Sequence, residues 1–205
     1  GLAHARALGA EGARVAITDI DGPACNTAAA TLRNAGIHAI ALPGDATDEQ
    51  TVADTIASVL ETEGRIDILI NNAGIGVKPA YPVAEMPAGA WDRMIHVHMR
   101  SAFLWSRGVI APMRVNGFGR IVSMSSMNFT GGGRVGVAHY AAAKAGIVGM
   151  TQTLAKEVGR DGITVNAVAP GYVATELIAG FDAATRALLC AQNPIGRLCA
   201  PEEVA

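Results

Sequence analysis

Tyr140 and Lys144 stand four residues apart in a segment that reads as helix, so the two side chains share a face. An ammonium beside a phenol favours the phenolate and should draw the tyrosine pKa from its usual ~10 towards neutrality. Such a tyrosine is a general acid/base for an alcohol or a carbonyl. Ser126, fourteen residues earlier, is placed to donate a hydrogen bond to the same substrate oxygen. Spacing alone describes an exposed Tyr–Lys pair on an amphipathic helix equally well. Asp19 closes an apolar run eighteen residues after Gly1, close to the ~20 at which a dinucleotide fold places its ribose-binding acid. A carboxylate there accepts from ribose hydroxyls and repels a 2′-phosphate. The turn signal Asp21-Gly22-Pro23 follows it, so Asp19 also reads as a turn or capping acid. In Asn71-Asn72-Ala73-Gly74 the small residues let backbone approach a ligand, or simply make a turn. His96 and His98 diverge at i and i+2 on a helix and predict no metal site.

The elements that must hold these residues alternate. Short apolar runs at 13–19, 37–42, 66–70, 120–124 and 163–168 suit strands buried on both faces. Helical patterns near 2–10, 23–35, 48–63, 88–115 and 138–160 lie between them, with Asp48 as an N-cap. This alternation predicts one α/β domain over 1–205, a doubly wound parallel sheet with helices on both faces. In such sheets ligands sit at the carboxyl ends of the strands, where Asp19, Asn72 and Ser126 fall.

Composition removes several classes of function. Half of the residues are apolar and 17% charged, which excludes a disordered chain. A net charge of −2 and 4% aromatic residues argue against nucleic acid as a partner. No apolar stretch reaches the roughly 18 residues of a membrane span, and no signal peptide is evident. Three cysteines, Cys25, Cys190 and Cys199, lack metal or redox spacing, so a reducing cytoplasmic setting is expected.

Taken in order, Asn71-Asn72-Ala73-Gly74, Ser126, Tyr140-x-x-x-Lys144 and Pro170-Gly171-x-x-x-Thr175 resemble the classical short-chain dehydrogenase/reductase family through essentially the whole chain. The resemblance implies a Rossmann-like fold and hydride transfer between NAD(H) and a secondary alcohol or ketone. It makes Tyr140 the acid/base, Lys144 the group that tunes it and binds the nicotinamide ribose, and Ser126 the residue orienting the substrate oxygen. Gly1 matches the last glycine of the family's phosphate loop. Asp45, with Ala46 beside it, resembles the adenine-contacting acid. Asn72, Ala73 and Gly74 would line the adenosine side, while Pro170, Gly171, Val173 and Thr175 would border the nicotinamide.

Departures accompany the likeness. The family's helix asparagine falls at His98, which is compatible with that role or with a helix–helix contact. The Ser126–Tyr140 gap is one residue longer than the family's commonest spacing, an excess assigned to Gly131-Gly132-Gly133, and it makes the neighbouring Ser125 the fallback for the serine's role. The chain starts without the strand and glycine-rich loop that precede Gly1 in the family, and the first and last strands of its sheet order are expected to be missing. A poorly soluble, inactive fragment is therefore expected of residues 1–205. The alternatives are a 3-oxoacyl-thioester reductase and, in another class, a non-catalytic nucleotide-binding relative. A homodimer or homotetramer is expected through the long helices, with Trp91, Ile95, Ala102 and Trp105 on one stripe and Ala141–Ala143, Gly146 and Gly149 permitting close approach.

Overall fold

In the computed structural model, which describes residues 1–130 and 134–205 (at Leu177 the backbone only), strands and helices alternate as expected. The strands are β1 Val15–Ile17, β2 Ala39–Ala41, β3 Ile68–Asn71, β4 Gly119–Met124 and β5 Ile163–Val168. The helices are α1 Leu2–Ala10, α2 Gly22–Asn34, α3 Glu49–Glu63, α4 Ala88–Ile95, α5 Ser101–Asn116, α6 Ala138–Val158, α7 Glu176–Ala179 and α8 Ala183–Gln192. All strand pairs are parallel, in two groups: β1 with β2, and β3-β4-β5. The register aligns Asn71 with Ser123 and Ser123 with Ala167, so the carboxyl ends of β3, β4 and β5 finish side by side. The segment assigned to absorbing the long Ser126–Tyr140 gap, 131–133, lies outside the described residues.

Two apolar clusters hold these groups. Ala5, Ala29, Leu32, Ile37 and Ala39 bind α1 and α2 to the first strand pair. Val52, Ile56, Leu104, Val109, Met113, Ile121, Val158, Ile163 and Val165 join α3, α5 and α6 to β4 and β5, and Leu69 of β3 packs against them. Side-chain caps start α2 and α3: Asp21 accepts from the Ala24 N–H, and Asp48 from that of Thr51.

The helix expected over 88–115 is interrupted. Residues His96–Arg100 form a π turn between α4 and α5. Ser101 Oγ donates back to the Val97 carbonyl, a contact that bends helices. The extra residue shifts the helical phase, which corrects the expected outward stripe. Trp91 stays exposed, but Ala102 is buried and Trp105 packs on the core. Phe103, 46% exposed, takes the outward position instead. Gly146 serves an intramolecular contact, since a Cβ there would lie 2.5 Å from Met99 Sδ.

Candidate active site

Strand ends and one helix build the site. As β4 ends, the Ser125 N–H donates to the Val168 carbonyl at 2.7 Å, stitching the exit to β5. Ser125 Oγ donates to the Lys144 carbonyl at 2.9 Å, and Lys144 Nζ donates to the Met124 carbonyl at 2.7 Å. These two bonds pin α6 to the end of β4 and set Tyr140 one turn before the pinned residue. They also separate the two serines: Ser125 is spent on the helix backbone, whereas Ser126 faces the phenol. Ser126 Oγ accepts from Asn128 N–H and Nδ2 at 3.3 and 3.0 Å, which leaves its own proton to donate.

The electrostatics differ from expectation. Burial pushes the Tyr140 phenol above its ordinary pKa, and the Ser126 hydrogen bond only partly offsets this. Spacing predicted a phenol lowered by Lys144. In the structure Nζ lies 5.6 Å from the ring centroid and is committed to the Met124 carbonyl. Burial brings the Lys144 pKa itself down to about 8.

His98 sits inside the π turn, 3% exposed. Its Nε2 lies 3.2 Å from Ile75 N and 3.1 Å from Ile75 O, and a single tautomer satisfies one of these at a time. Nδ1 is buried without a partner among the described residues. The ring meets Tyr140 edge-on, with centroids 5.3 Å apart and planes at 88°. Burial first, then the charge of Lys144, holds the His98 pKa down at about 4, so the ring is neutral at neutral pH. A Cβ on Gly74 would lie 2.5 Å from His98 Cε1, so only glycine lets this turn lie against the ring. His96 is exposed, and no group of metal-ligating side chains occurs among the described residues.

The other singled-out residues cluster on either side. A Cβ at Gly1 would stand 3.4 Å from Asn72 Nδ2, so α1 begins beside the end of β3. The exposed Asp19 accepts from the Asp21 N–H at 3.0 Å through one oxygen, while Asp21 rather than Asp19 caps α2. The Gly44 N–H donates to the Asp19 carbonyl, bringing Asp45 and Ala46 to the end of β1. Asp45 is held by Thr47 through N–H and Oγ1 at 2.8 and 2.7 Å. Asn72, Ala73 and Gly74 form the exposed run between β3 and Ile75.

On the far side the Met127 N–H donates to the Pro170 carbonyl at 3.0 Å. Gly171, Tyr172 and Met127 line a cavity of about 440 Å³ with Gln192, Asn193 and Pro194. Val173 bridges to Cys199, and Thr175 Oγ1 turns back to the Val173 carbonyl. Sequence reasoning quoted Asn71 within its run but gave it no role of its own, whereas its Nδ2 reaches Ser106 and Ser123 at 3.0 and 3.1 Å and ties β3 to α5 and β4. It missed Asn128. A polar residue at a buried strand end was the available signal for the first, and spacing carries none for the second.

Parallel α/β sheets with candidate residues gathered at the carboxyl ends of the strands are the setting in which nucleotide-dependent enzymes bind their ligands. Residues 1–205 match the family model described as Enoyl-(Acyl carrier protein) reductase. The chain is 41% identical to the cis-4-hydroxycyclohexanecarboxylate dehydrogenase of Sinomonas cyclohexanicum, over all of this chain and 81% of that one. It is 38% identical to the D-beta-hydroxybutyrate dehydrogenase of Rhizobium meliloti, over 87% of this chain and 69% of that one. The crystal structure of gox2181 superposes with a TM-score of 0.94 at 32% identity, covering 100% of this chain and 80% of its own. The chain belongs to the short-chain dehydrogenase/reductase family, oxidoreductases of alcohols and ketones that use a nicotinamide cofactor. No helix among the described residues is long and apolar enough to cross a membrane.

Proposed function

We propose that this chain carries the catalytic site of an NAD(H)-dependent oxidoreductase of secondary alcohols and ketones. The observation that carries the reading is the convergence of Ser126, Tyr140 and Lys144 at the end of β4, with Tyr140 and Lys144 on one helix pinned to that strand. The cofactor, when bound, accepts or supplies the hydride. In the oxidising direction Tyr140 takes the hydroxyl proton of the alcohol, and in the reducing direction its phenol returns it. Ser126 donates to the same oxygen and fixes its distance from the phenol. Lys144 keeps positive charge beside the phenol and offers its remaining N–H groups to a ribose. His98 is neutral and holds the phenol ring rather than the travelling proton.

Gly1, Asp19, Asp45, Ala46, Asn72, Ala73 and Gly74 fit the adenosine half of the cofactor, and Pro170, Gly171, Val173 and Thr175 the nicotinamide half. NAD(H) is preferred over NADP(H), because Asp19 is followed by Ile20 and no arginine there offsets a 2′-phosphate. Reduced-nicotinamide absorbance, followed with both cofactors over a panel of secondary alcohols, tests this. Preference for NADP(H) overturns the cofactor assignment, and inactivity towards every alcohol and ketone overturns the reading. A second reading, 3-oxoacyl-thioester reduction, is supported by the family model matched. Acetoacetyl-CoA in the same assay separates the two. A purely nucleotide-binding protein would have no use for the buried acid/base cluster.

Self-association belongs to the same proposal. Trp91, Ile95, Met99 and Phe103 line an open groove of about 550 Å³ with Met150, and Trp91 and Phe103 are 41% and 46% exposed. A second copy covering this face gives the homodimer, or half of a homotetramer. Three free cysteines suit a reducing cytoplasm.

A further inference from the structure

We propose that Lys78 and Arg134 form a cationic lip on the substrate cleft, selecting alcohols that carry an anionic group in addition to the reacting hydroxyl. The proposal rests on the reading of Tyr140 as the acid/base of a secondary alcohol. Three chain segments meet at this lip, and each leads to or from the site. Lys78 lies three residues beyond Ile75, the backbone partner of His98. Arg134 lies six residues before Tyr140, and Phe181 six after Thr175. The Tyr81 N–H donates to the Gly136 carbonyl at 3.0 Å, joining the first two segments. Lys78 Nζ donates to the Gly180 carbonyl at 3.2 Å and Arg134 Nη2 to that of Val77 at 3.2 Å, which closes the ring of contacts.

Both cations address one aromatic ring. Lys78 Nζ is 5.7 Å and the Arg134 guanidinium 5.2 Å from the Phe181 ring centroid. Arg186 adds a third charge next to them, its Nη1 donating to the carbonyls of Ala179 and Phe181 at 3.2 and 3.0 Å. The neighbouring acid, Asp182, is occupied capping α8 through the Thr185 N–H at 2.7 Å. Six arginines elsewhere pair with carboxylates. Among the described residues neither Lys78, Arg134 nor Arg186 does so. Asp182 feels the Arg186 charge and partly offsets it. Lys78 and Arg134, gathered on one ring without a carboxylate partner among the described residues, leave a local positive potential that a ligand anion relieves. Each of the first two also keeps donors in reserve: Lys78 uses one of three here and Arg134 one of five. The arrangement suits a carboxylate on the substrate itself or a phosphate on a thioester carrier.

The test compares kcat/KM for 3-hydroxybutyrate, its neutral methyl ester and 3-hydroxybutyryl-CoA, and for cis-4-hydroxycyclohexanecarboxylate with its methyl ester. The lip predicts anion over ester in at least one pair. It also predicts that Lys78→Met and Arg134→Met each lower that ratio roughly tenfold, as loss of a charge-assisted contact does. Raising ionic strength should lower it too, while the remote Arg160→Gln leaves it in place. Preference for the acid assigns the anion to a substrate carboxylate, and preference for the thioester assigns it to the carrier. A ratio near one, or one that both variants leave intact, overturns the lip alone. Failure to oxidise any alcohol, charged or neutral, overturns the catalytic reading and the lip with it.

Discussion

Gly74→Ala tests the packing of His98 between the β3 turn and Tyr140. The added Cβ would sit 2.5 Å from His98 Cε1 and 2.9 Å from Nδ1, where ordinary contact begins near 3.4 Å. The ring must therefore retreat by roughly an ångström, a displacement at which a misplaced catalytic group can lose about 100-fold in rate. Retreat is obstructed on both sides. Nε2 is held by the Ile75 backbone, and the ring edge rests on Tyr140. Gly74 is not among the positive-φ glycines, so the substitution adds bulk without backbone strain. Overpacking of this kind costs about 1–3 kcal/mol. Urea denaturation should show that loss, and steady-state oxidation of a secondary alcohol should show kcat/KM down by about 100-fold. Because the clash is with one side chain, His98→Ala removes it. The double variant should be more stable than the sum of the singles by about 1 kcal/mol or more. Strict additivity, or a Gly74→Ala protein of native stability and rate, would refute the wedge.

Tyr140→Phe should lower turnover by about 10²–10⁴-fold, the usual worth of an acid/base group, while NADH fluorescence titration gives unchanged cofactor affinity. His98 has a folded pKa of about 4 against an ordinary 6.5, so the unfolded chain binds more protons between those values. Its contribution is fully present above pH 6.5 and lost as pH falls towards 4. The depressed Lys144 pKa acts only from about pH 8 upwards, outside that window. Unfolding free energies at pH 7 and 4.5 should therefore fall less on acidification in His98→Asn, by roughly 2–3 kcal/mol, and an identical fall in both proteins would contradict a buried neutral ring. Phe103→Glu should shift sedimentation from an oligomer towards monomer at micromolar concentration, whereas an unaltered oligomer would move the interface elsewhere.

The five strands were legible because short β-branched runs bounded by Gly, Pro or Asn leave few alternatives. The first two contracted, 13–19 becoming Val15–Ile17 and 37–42 becoming Ala39–Ala41, because their mutual pairing extends only that far, while 163–168 kept its bounds. The π turn was not legible. Ile95–Arg100 contains neither Gly nor Pro, and what accompanies the turn is tertiary: His98 lodged against Gly74, Ile75 and Tyr140. Local spacing likewise placed Tyr140 and Lys144 on one face, yet the phenol shifted opposite to expectation. Its direction depends on burial and on where Nζ goes, and a carbonyl on a different element takes it. The Lys78–Arg134–Phe181 lip joins loops more than forty residues apart in sequence, beyond the reach of any periodicity.

The bond from Lys144 Nζ to the Met124 carbonyl has a consequence for cofactor affinity. A free lysine gives up about 1.5–2 kcal/mol of rotamer freedom when its chain is immobilised, and a site that orders it only on binding loses that amount from the affinity. Here the chain is already buried and directed before any cofactor arrives. Its conformational entropy is surrendered when the polypeptide folds, and the ammonium meets its ribose without a further ordering penalty.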